Sequence, residues 1–539
     1  MGRIRWFLSW VALLAAGSAL AQSTTWPSAA ALEGSGARFG QIVINVRPVF
    51  DPDIPGERTR LFRFANRLHI ETQDRVVQAQ LLFHSGDPFS QRLIEETERN
   101  LRQLRFLREP EISIIDVRGD EVDVEVRVRD TWSLEPTLEF GRSGGRNRTS
   151  IGFTDANFLG LGKRLELNYE QNRDRNSTIV SYSDPNLGFG RSQLHFEYQN
   201  NSDGHLASVA VERPFFELES RHAWGASLLD RDSLERRYEL GEEVDVYRQQ
   251  LRNADFYYGY SSGLENGWVR RTRWGLRLED AQFAIDPIGP TAAPPPPDRR
   301  LVYPYLQYEW IEDDYATIVN RDRIGRTEDE AYGQRWLLEL GAASSGLGSD
   351  NNALIYRASY SNGYRLAPRH SLFVDANTSG RWESDQLSDA RVGLGARYYL
   401  RYNPHHTLYA GLRVDLGHNL DPDRELLLGG DNGLRAYPIA FQSGEKSALL
   451  TLEHRYFTDW QPLKLFTVGA AAFVDVGRVW GPNSISAEQL GTLKEFGVGL
   501  RLGHLRTSRA NVIHIDLAWP LDDPFDSGPQ LMVETRNSF

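Results

Sequence analysis

From Trp132 to Phe539 apolar and polar side chains alternate with a period of two, and no stretch of this span carries apolar residues at helical spacing. Trp132, Leu134, Pro136, Leu138 and Phe140 alternate with Ser133, Glu135, Thr137 and Glu139. The pattern recurs at Leu165/Leu167/Tyr169, Leu194/Phe196/Tyr198 and Phe496/Val498/Leu500/Leu502. Successive side chains of a strand point to opposite faces, so each segment has one apolar and one charged face. Such a chain builds either a water-soluble sandwich or a closed barrel, and three features select the barrel. The strands recur to the last residue without a second core signal. Short turns alternate with long polar loops such as 284–300 and 312–334, which are expected at the cell surface. Tyr, Trp and Phe cluster near strand ends as interfacial girdles do. Residues 132–539 are therefore read as a transmembrane antiparallel β-barrel, and at about 25 residues per tilted strand with its connections they give roughly sixteen strands.

Residues 38–131 mix helix and strand. Gln41 to Phe50 is strand-like, and Asp51 to Gly56 is a Pro-rich turn. Thr72 can N-cap a helix carrying Val76, Val77, Leu81 and Phe83, which Gly86, Asp87 and Pro88 stop. A second helix runs from about Ser90 to Leu104, with Leu93, Ile94, Thr97, Leu101 and Leu104 on one face. A hairpin follows, in which Ile112, Ile114, Val122, Val124, Val126 and Val128 alternate with charged residues. One sheet with a wet face and a face covered by two helices accounts for this α+β segment.

Residues 1–21 read as a secretory signal peptide. Arg3 and Arg5 precede an apolar run from Trp6 to Gly17, and Ala19-Leu20-Ala21 is a cleavage site before Gln22. The alternative, a membrane anchor, is short for a hydrocarbon core of ~30 Å. Residues 22–37 are then a linker. No later stretch approaches the roughly 18 apolar residues of a spanning helix. The absence of cysteine excludes disulfides, thiolate metal sites and Cys nucleophiles. With 61 Lys+Arg against 73 Asp+Glu and no concentrated basic patch, no nucleic-acid partner is expected.

Two segments are more specific. Gly429-Gly430-Asp431-Asn432-Gly433-Leu434-Arg435-Ala436-Tyr437 is a glycine-rich loop, and Phe473-Val474-Asp475-Val476-Gly477 is a strand of the form F-x-D-x-G. Together they resemble the signature of the BamA/TamA superfamily of outer-membrane insertases and translocators, in which POTRA domains precede a sixteen-stranded barrel and the sixth extracellular loop folds into the lumen. Residues 38–131 resemble one POTRA, with Gly86, Asp87 and Pro88 as its turn. Five strands follow the loop, which the resemblance places between strands eleven and twelve. The resemblance implies roles for Gly430, Gly433, Arg435, Tyr437, Phe473, Asp475 and Gly477. Independently, a guanidinium inside a lumen needs fixed carboxylates, and Asp475 and Glu453 are the candidates for Arg435. Two departures stand out. Ala436 occupies a position where the family usually has Gly, and if it sat at φ > 0 it would cost about 1 to 2 kcal/mol. The chain also has room for one POTRA only.

Other motifs look chemical. Gly141-Arg142-Ser143-Gly144-Gly145 matches G-x-S-x-G, but a hydrolase elbow needs a helix after the serine and a strand follows here. His405 and His406 point to opposite faces if they lie on a strand, so they cannot share a metal. Glu309, Glu312, Asp313, Asp314, Glu328, Asp329 and Glu330, and separately Asp421, Asp423, Asp431 and Asn432, read as solvated loop faces rather than cation sites. No catalytic, cofactor or metal site is expected.

The resemblance implies a non-enzymatic outer-membrane protein with its POTRA in the periplasm. It would assist insertion, assembly or translocation of unfolded polypeptides through the POTRA edge and the barrel seam, in contact with lipid and with a periplasmic or inner-membrane partner protein. The competing expectation is a pore or barrel hydrolase that kept the fold. Phe539 is expected to act as the C-terminal signal of the last strand. Deleting it should strongly lower the membrane-inserted yield, read as loss of heat-modifiable protein on gels.

Overall fold

The computed structural model describes residues 26–54, 56–188, 190–291, 293–481, 485–508, 511–521 and 528–536. The signal peptide assigned to 1–21 and the terminal Phe539 lie outside the described residues.

The alternating segment forms one closed antiparallel barrel of twenty strands, from Leu134–Ser143 to Gln530–Arg536, each paired with its neighbours in sequence. The expectation of about sixteen strands is corrected. The early strands Lys163–Gln171, Asn176–Asp184, Gln193–Asn201 and Gly204–Arg213 are nine or ten residues long and joined by short connections, so fewer residues serve each strand than the estimate assumed. Strands that follow are longer, up to the 24 residues of Glu242–Glu265. Exposure follows the period of two. On Phe496, Val498 and Leu500 the side chains stay 40 to 53 % exposed, while their neighbours Glu495 and Arg501 are fully buried. Exposed Leu, Phe, Tyr and Trp side chains of this kind occur on strands all round the ring, from Leu138 through Trp274, Leu340 and Leu412 to Leu531. A belt this large has no place on a water-soluble monomer.

The ring closes narrowly. First and last strands share a single register pair among the described residues, Arg142 with Val533. Other neighbouring pairs run in register over seven residues or more, as at Val512–Pro520 against Gln530–Arg536.

Before the barrel, a three-stranded mixed sheet has Arg38–Arg47 parallel to Glu121–Asp130, which pairs antiparallel with Leu107–Arg118. Val122, Val124, Val126 and Val128 are fully buried under helix Gln91–Gln103, whose Ser90 hydroxyl accepts from Leu93 N–H at 3.4 Å. Phe39 and Phe83 stack at 4.0 Å in the same core. The expectation of a POTRA domain in front of the barrel is corrected. The helix expected across 72–83 is only Asp74–Gln78, a further helix Arg60–Leu68 stands beside it, and the supposed linker contributes Leu32 and Ala37 to the core. Residues Gly86, Asp87 and Pro88 make a turn against the first strand, with Gly86 at φ +90° and its N–H donating to Phe39 O at 2.7 Å.

This domain covers one mouth of the barrel. Gln73 N–H donates to Gly160 O at 3.0 Å, Leu218 N–H to Glu96 at 2.8 Å, and Arg506 pairs with Glu57. Burial raises the Glu96 carboxyl above its ordinary range, against the pull of that N–H and of Arg92. Residues 312–334, expected as a surface loop, lie at this same mouth. Arg102 holds Asp329 through Nε and Nη2 at 2.8 to 3.1 Å, and Arg99 stacks on Tyr315 at 3.8 Å. The segment folds as a hairpin, Tyr315–Val319 with Thr327–Ala331, whose tip enters the lumen and buries Arg321 and Ile324. A protease site inserted after Gly325 should therefore be cut from the same side of a sealed vesicle as one inserted in the amino-terminal domain. A site after Ala293 should be cut from the opposite side, with fragments read on gels.

Candidate functional site

Four consecutive strands near the carboxyl terminus turn charged side chains inward. Glu453 and Arg455 come from Lys446–Phe457, Asp475 from Phe466–Trp480, Glu495 and Arg501 from Leu493–His504, and Asp516 from Val512–Pro520, all at most 3 % exposed. Antiparallel register sets Glu453 beside Phe473 and Asp475 beside Glu495.

The connection 419–445, at the far mouth, descends onto this wall. It lies between the fifteenth and sixteenth barrel strands, not the eleventh and twelfth, with five strands after it. Tight bonds shape its tip. Leu434 N–H donates to Gly429 O at 3.0 Å, Tyr437 N–H to Leu434 O at 3.1 Å, and Gly430 N–H to Pro438 O at 3.0 Å. Gly433 has φ +126°, and a Cβ there would stand 2.2 Å from Leu449 Cδ2, so glycine is required. At Gly430 a Cβ would come within 2.6 Å of the backbone of Gly144. Leu428, Leu434, Ala436, Tyr437 and Phe441 pack with Phe473 and Leu493 in one apolar cluster, and Tyr437 donates to Lys494 O at 2.8 Å. Gly477 leaves room for Leu428, whose Cδ2 would lie 2.8 Å from a Cβ.

Arg435 is the centre of the site. Its guanidinium reaches Glu453 at 3.2 Å, Asp475 at 3.3 Å and Asp516 at 3.1 Å, and lies 3.6 Å over the Phe473 ring. Its backbone N–H and that of Ala436 both donate to the Glu495 carboxylate at 2.7 Å. Ala436 does not have positive φ. Among the described residues of the loop, the non-glycine positions that do are Asn419 and Ala440. The alanine therefore carries no left-handed strain, and its amide is used as a donor.

The network continues to the other mouth. Glu453 also accepts from Arg455 at 2.9 Å, and Arg455 pairs with Asp322, at the tip of the 313–334 hairpin, at 3.1 Å. Arg501 pairs with Asp516 and reaches Glu453 at 3.5 Å. Inserts from opposite ends of the barrel thus meet on one strand. A second lumenal network stands on other strands: Arg277 reaches Glu339 at 2.7 Å, and Arg357 reaches Glu279 at 2.8 Å.

The structure brings Arg435, Glu453, Asp475 and Phe473 together. Glu495, Asp516, Arg455 and Arg501 were not singled out from sequence, although their phase was readable from the apolar Phe496, Leu517, Tyr456 and Leu500 beside them. The hydrolase-like Ser143 lies at a strand end, and its hydroxyl donates to Gly430 O at 2.6 Å. His405 Nδ1 lies 2.9 Å from Phe457 O, and the His406 ring stacks on Tyr456 at 4.7 Å. Several members of the acidic runs pair with arginines, Asp421 with Arg381 at 2.8 Å and Asp423 with Arg299 at 3.3 Å inside the barrel and Asp314 with Arg365 at 2.7 Å at the surface, while Asp431 and Asn432 are exposed. Glu328 accepts the N–H groups of Arg321, Asp322 and Arg323, each at 3.1 Å. Among the described residues no group of three or more metal-ligating side chains converges.

No family model and no curated protein matches this sequence. Solved structures similar to it include BamA from Haemophilus ducreyi lacking POTRA domains 1-3, at 13 % identity and TM-score 0.38, covering 93 % of this chain and 85 % of that one. CdiB from Escherichia coli is similar at 13 % identity and TM-score 0.47, covering 93 % and 76 %. The FrpB iron transporter from Neisseria meningitidis is similar at 7 % identity and TM-score 0.40, covering 79 % and 86 %. The class defined by the fold is a closed β-barrel of the outer-membrane type.

Removing one member of a buried ion network strands the others, at up to roughly 3 to 5 kcal/mol for a pair. Arg435→Ala leaves three carboxylates facing one another and should lower thermal stability in detergent most. Asp475→Ala should cost less, because Arg435 keeps Glu453 and Asp516. The double variant should fall short of the sum of the two, by more than 0.5 kcal/mol.

Proposed function

We propose that this protein is a BamA/TamA-type barrel of the Gram-negative outer membrane that assists insertion, assembly or translocation of polypeptides there, without chemistry of its own. The observation that carries this reading is the seam. A ring closed by one register pair among the described residues, in a barrel whose other strands pair over seven residues or more, offers backbone groups to an incoming strand. In lipid an unpaired edge is costly, so pairing with a client strand supplies the driving force without a nucleotide. The belt of exposed apolar side chains supports a lipid setting, with the amino-terminal domain on the periplasmic side.

A passive pore is the second reading, favoured by the size of a twenty-stranded ring. Against it stand the two inserts that meet at Glu453 and fill the lumen on that side. A hydrolase is disfavoured by Ser143, whose hydroxyl is spent on a backbone carbonyl.

Because the chain has no cysteine, a disulfide between Arg142→Cys and Val533→Cys can lock the seam selectively. In proteoliposomes the oxidised variant should lose its acceleration of folding of an urea-unfolded small barrel, and a thiol reductant should restore it. Acceleration that survives the lock would remove the seam from the mechanism. Large steady conductance in planar bilayers, unaffected by the lock, would favour the pore.

A further inference from the structure

Helix Arg60–Leu68 is the one described helix of the amino-terminal domain with no buried residue. Its inner side is anchored. Phe62 stacks on Phe50 at 4.2 Å, Asn66 exchanges hydrogen bonds with the Phe50 backbone at 2.6 and 3.1 Å, and His69 just beyond it meets Asp130 at 2.9 Å. Residues 62, 66 and 69 follow helical spacing, so the opposite side is held outward in a fixed orientation. That side is apolar: Leu61 is 70 % exposed, Phe64 56 % and Leu68 59 %, and Ile70 follows at 52 %. Beside this stripe Arg60, Arg63 and Arg67 form a basic stripe, and none of the three is paired with a carboxylate among the described residues.

The surroundings say what covers it. The turn leading into the helix approaches the barrel connection 458–465, where a Cβ at Gly56 would stand 3.9 Å from Lys464 Cε. That connection carries Trp460 at 65 % and Leu463 at 78 % exposure, directly below Tyr456 of the lipid-facing belt. The turn thus sets the helix beside a barrel rim that itself exposes Trp460 and Leu463. An apolar stripe flanked by arginines, ending on exposed Trp and Leu at a barrel rim, is the pattern of a segment lying in a bilayer interface, with guanidinium groups at phosphate level.

We propose that Arg60–Leu68 is a membrane-surface anchor. It lays Leu61, Phe64 and Leu68 into the leaflet on the domain's side and sets Arg60, Arg63 and Arg67 against anionic phospholipid headgroups. The anchor fixes the domain at the rim beside the 458–465 turn. This inference rests on the barrel being in lipid, as proposed above.

The cysteine-free chain allows single spin labels on the full-length protein, reconstituted in phosphatidylcholine bilayers with and without phosphatidylglycerol. Labels at Leu61→Cys and Phe64→Cys should be relaxed more by oxygen than by a water-soluble nickel complex, and more so with phosphatidylglycerol. A label at Ile115→Cys, on the domain's sheet, should show the reverse. Changing Arg60, Arg63 and Arg67 together to Glu should return the Phe64 label to the Ile115 value. A label at Leu450→Cys, on the belt, reports on the barrel itself. If Leu450 is in lipid while Leu61 and Phe64 stay with the nickel complex, the anchor is refuted and the membrane barrel stands. If Leu450 is also in water, the membrane reading itself falls. Concentration-dependent spin–spin broadening at Phe64 would assign the stripe to a second copy of the chain and overturn the proposal.

Discussion

Glu453 is the carboxylate on which both ends of the barrel depend. It accepts from Arg435, which belongs to the far-mouth loop, and from Arg455, which grips Asp322 of the near-mouth hairpin. Single pairs of this sort give little net stability, since the desolvation of each ion offsets most of the attraction. Their value is positional. Three arginines and their surrounding carboxylates have few arrangements that leave no charge stranded, and the observed one fixes two inserts against the same strand. Apolar packing then completes each contact, Leu434, Tyr437 and Phe441 on one side and Ile324 with Phe457 and Val512 on the other.

The seam obeys a different rule. Along nineteen boundaries of the ring the backbone is satisfied by long ladders, and at the twentieth by one register pair among the described residues. The loop tip lies close by, since Gly430 abuts Gly144 and takes the Ser143 hydroxyl at the end of the first strand. The loop that carries Arg435 therefore touches both the lumenal ion network and the weak boundary, which gives the network a mechanical route to the seam.

Much of this was legible because period two is a robust signal: the run of barrel strands follows from alternation, and Asp475 and Glu453 from the need of a lumenal guanidinium for carboxylates. Strand number was not, because it depends on connection length, and the early hairpins are tighter than an average would suggest. Nor was the side on which 313–334 emerges. Arg321, Asp322 and Glu328 have the composition of a solvated loop, yet they are folded against one another and against Arg455 inside the lumen. Composition does not distinguish water from a polar interior. Helix Arg60–Leu68 escaped notice for the converse reason: it follows a Pro-rich turn, and its apolar stripe faces outward. The amino-terminal segment was read as a POTRA from the order helix, Gly86-Asp87-Pro88 turn, helix and strand, whereas of the first helix only Asp74–Gln78 forms, and Leu81 and Phe83 reach the core from irregular backbone.

The narrow closure also dictates an order of assembly. Strands Leu134–Ser143 and Gln530–Arg536 lie at opposite ends of the barrel sequence, so their meeting carries the largest loop-closure entropy of any pairing and is rewarded least. It should come last. Until then the sheet is an open ribbon, into whose concave face the hairpin tip and the glycine loop can settle from the side. Once the ring shuts, each is enclosed by strands on every side and can leave only along the axis, through its own mouth. The contents of the lumen are thus chosen during folding, and the final hydrogen-bonded step acts as the latch on a vessel already filled.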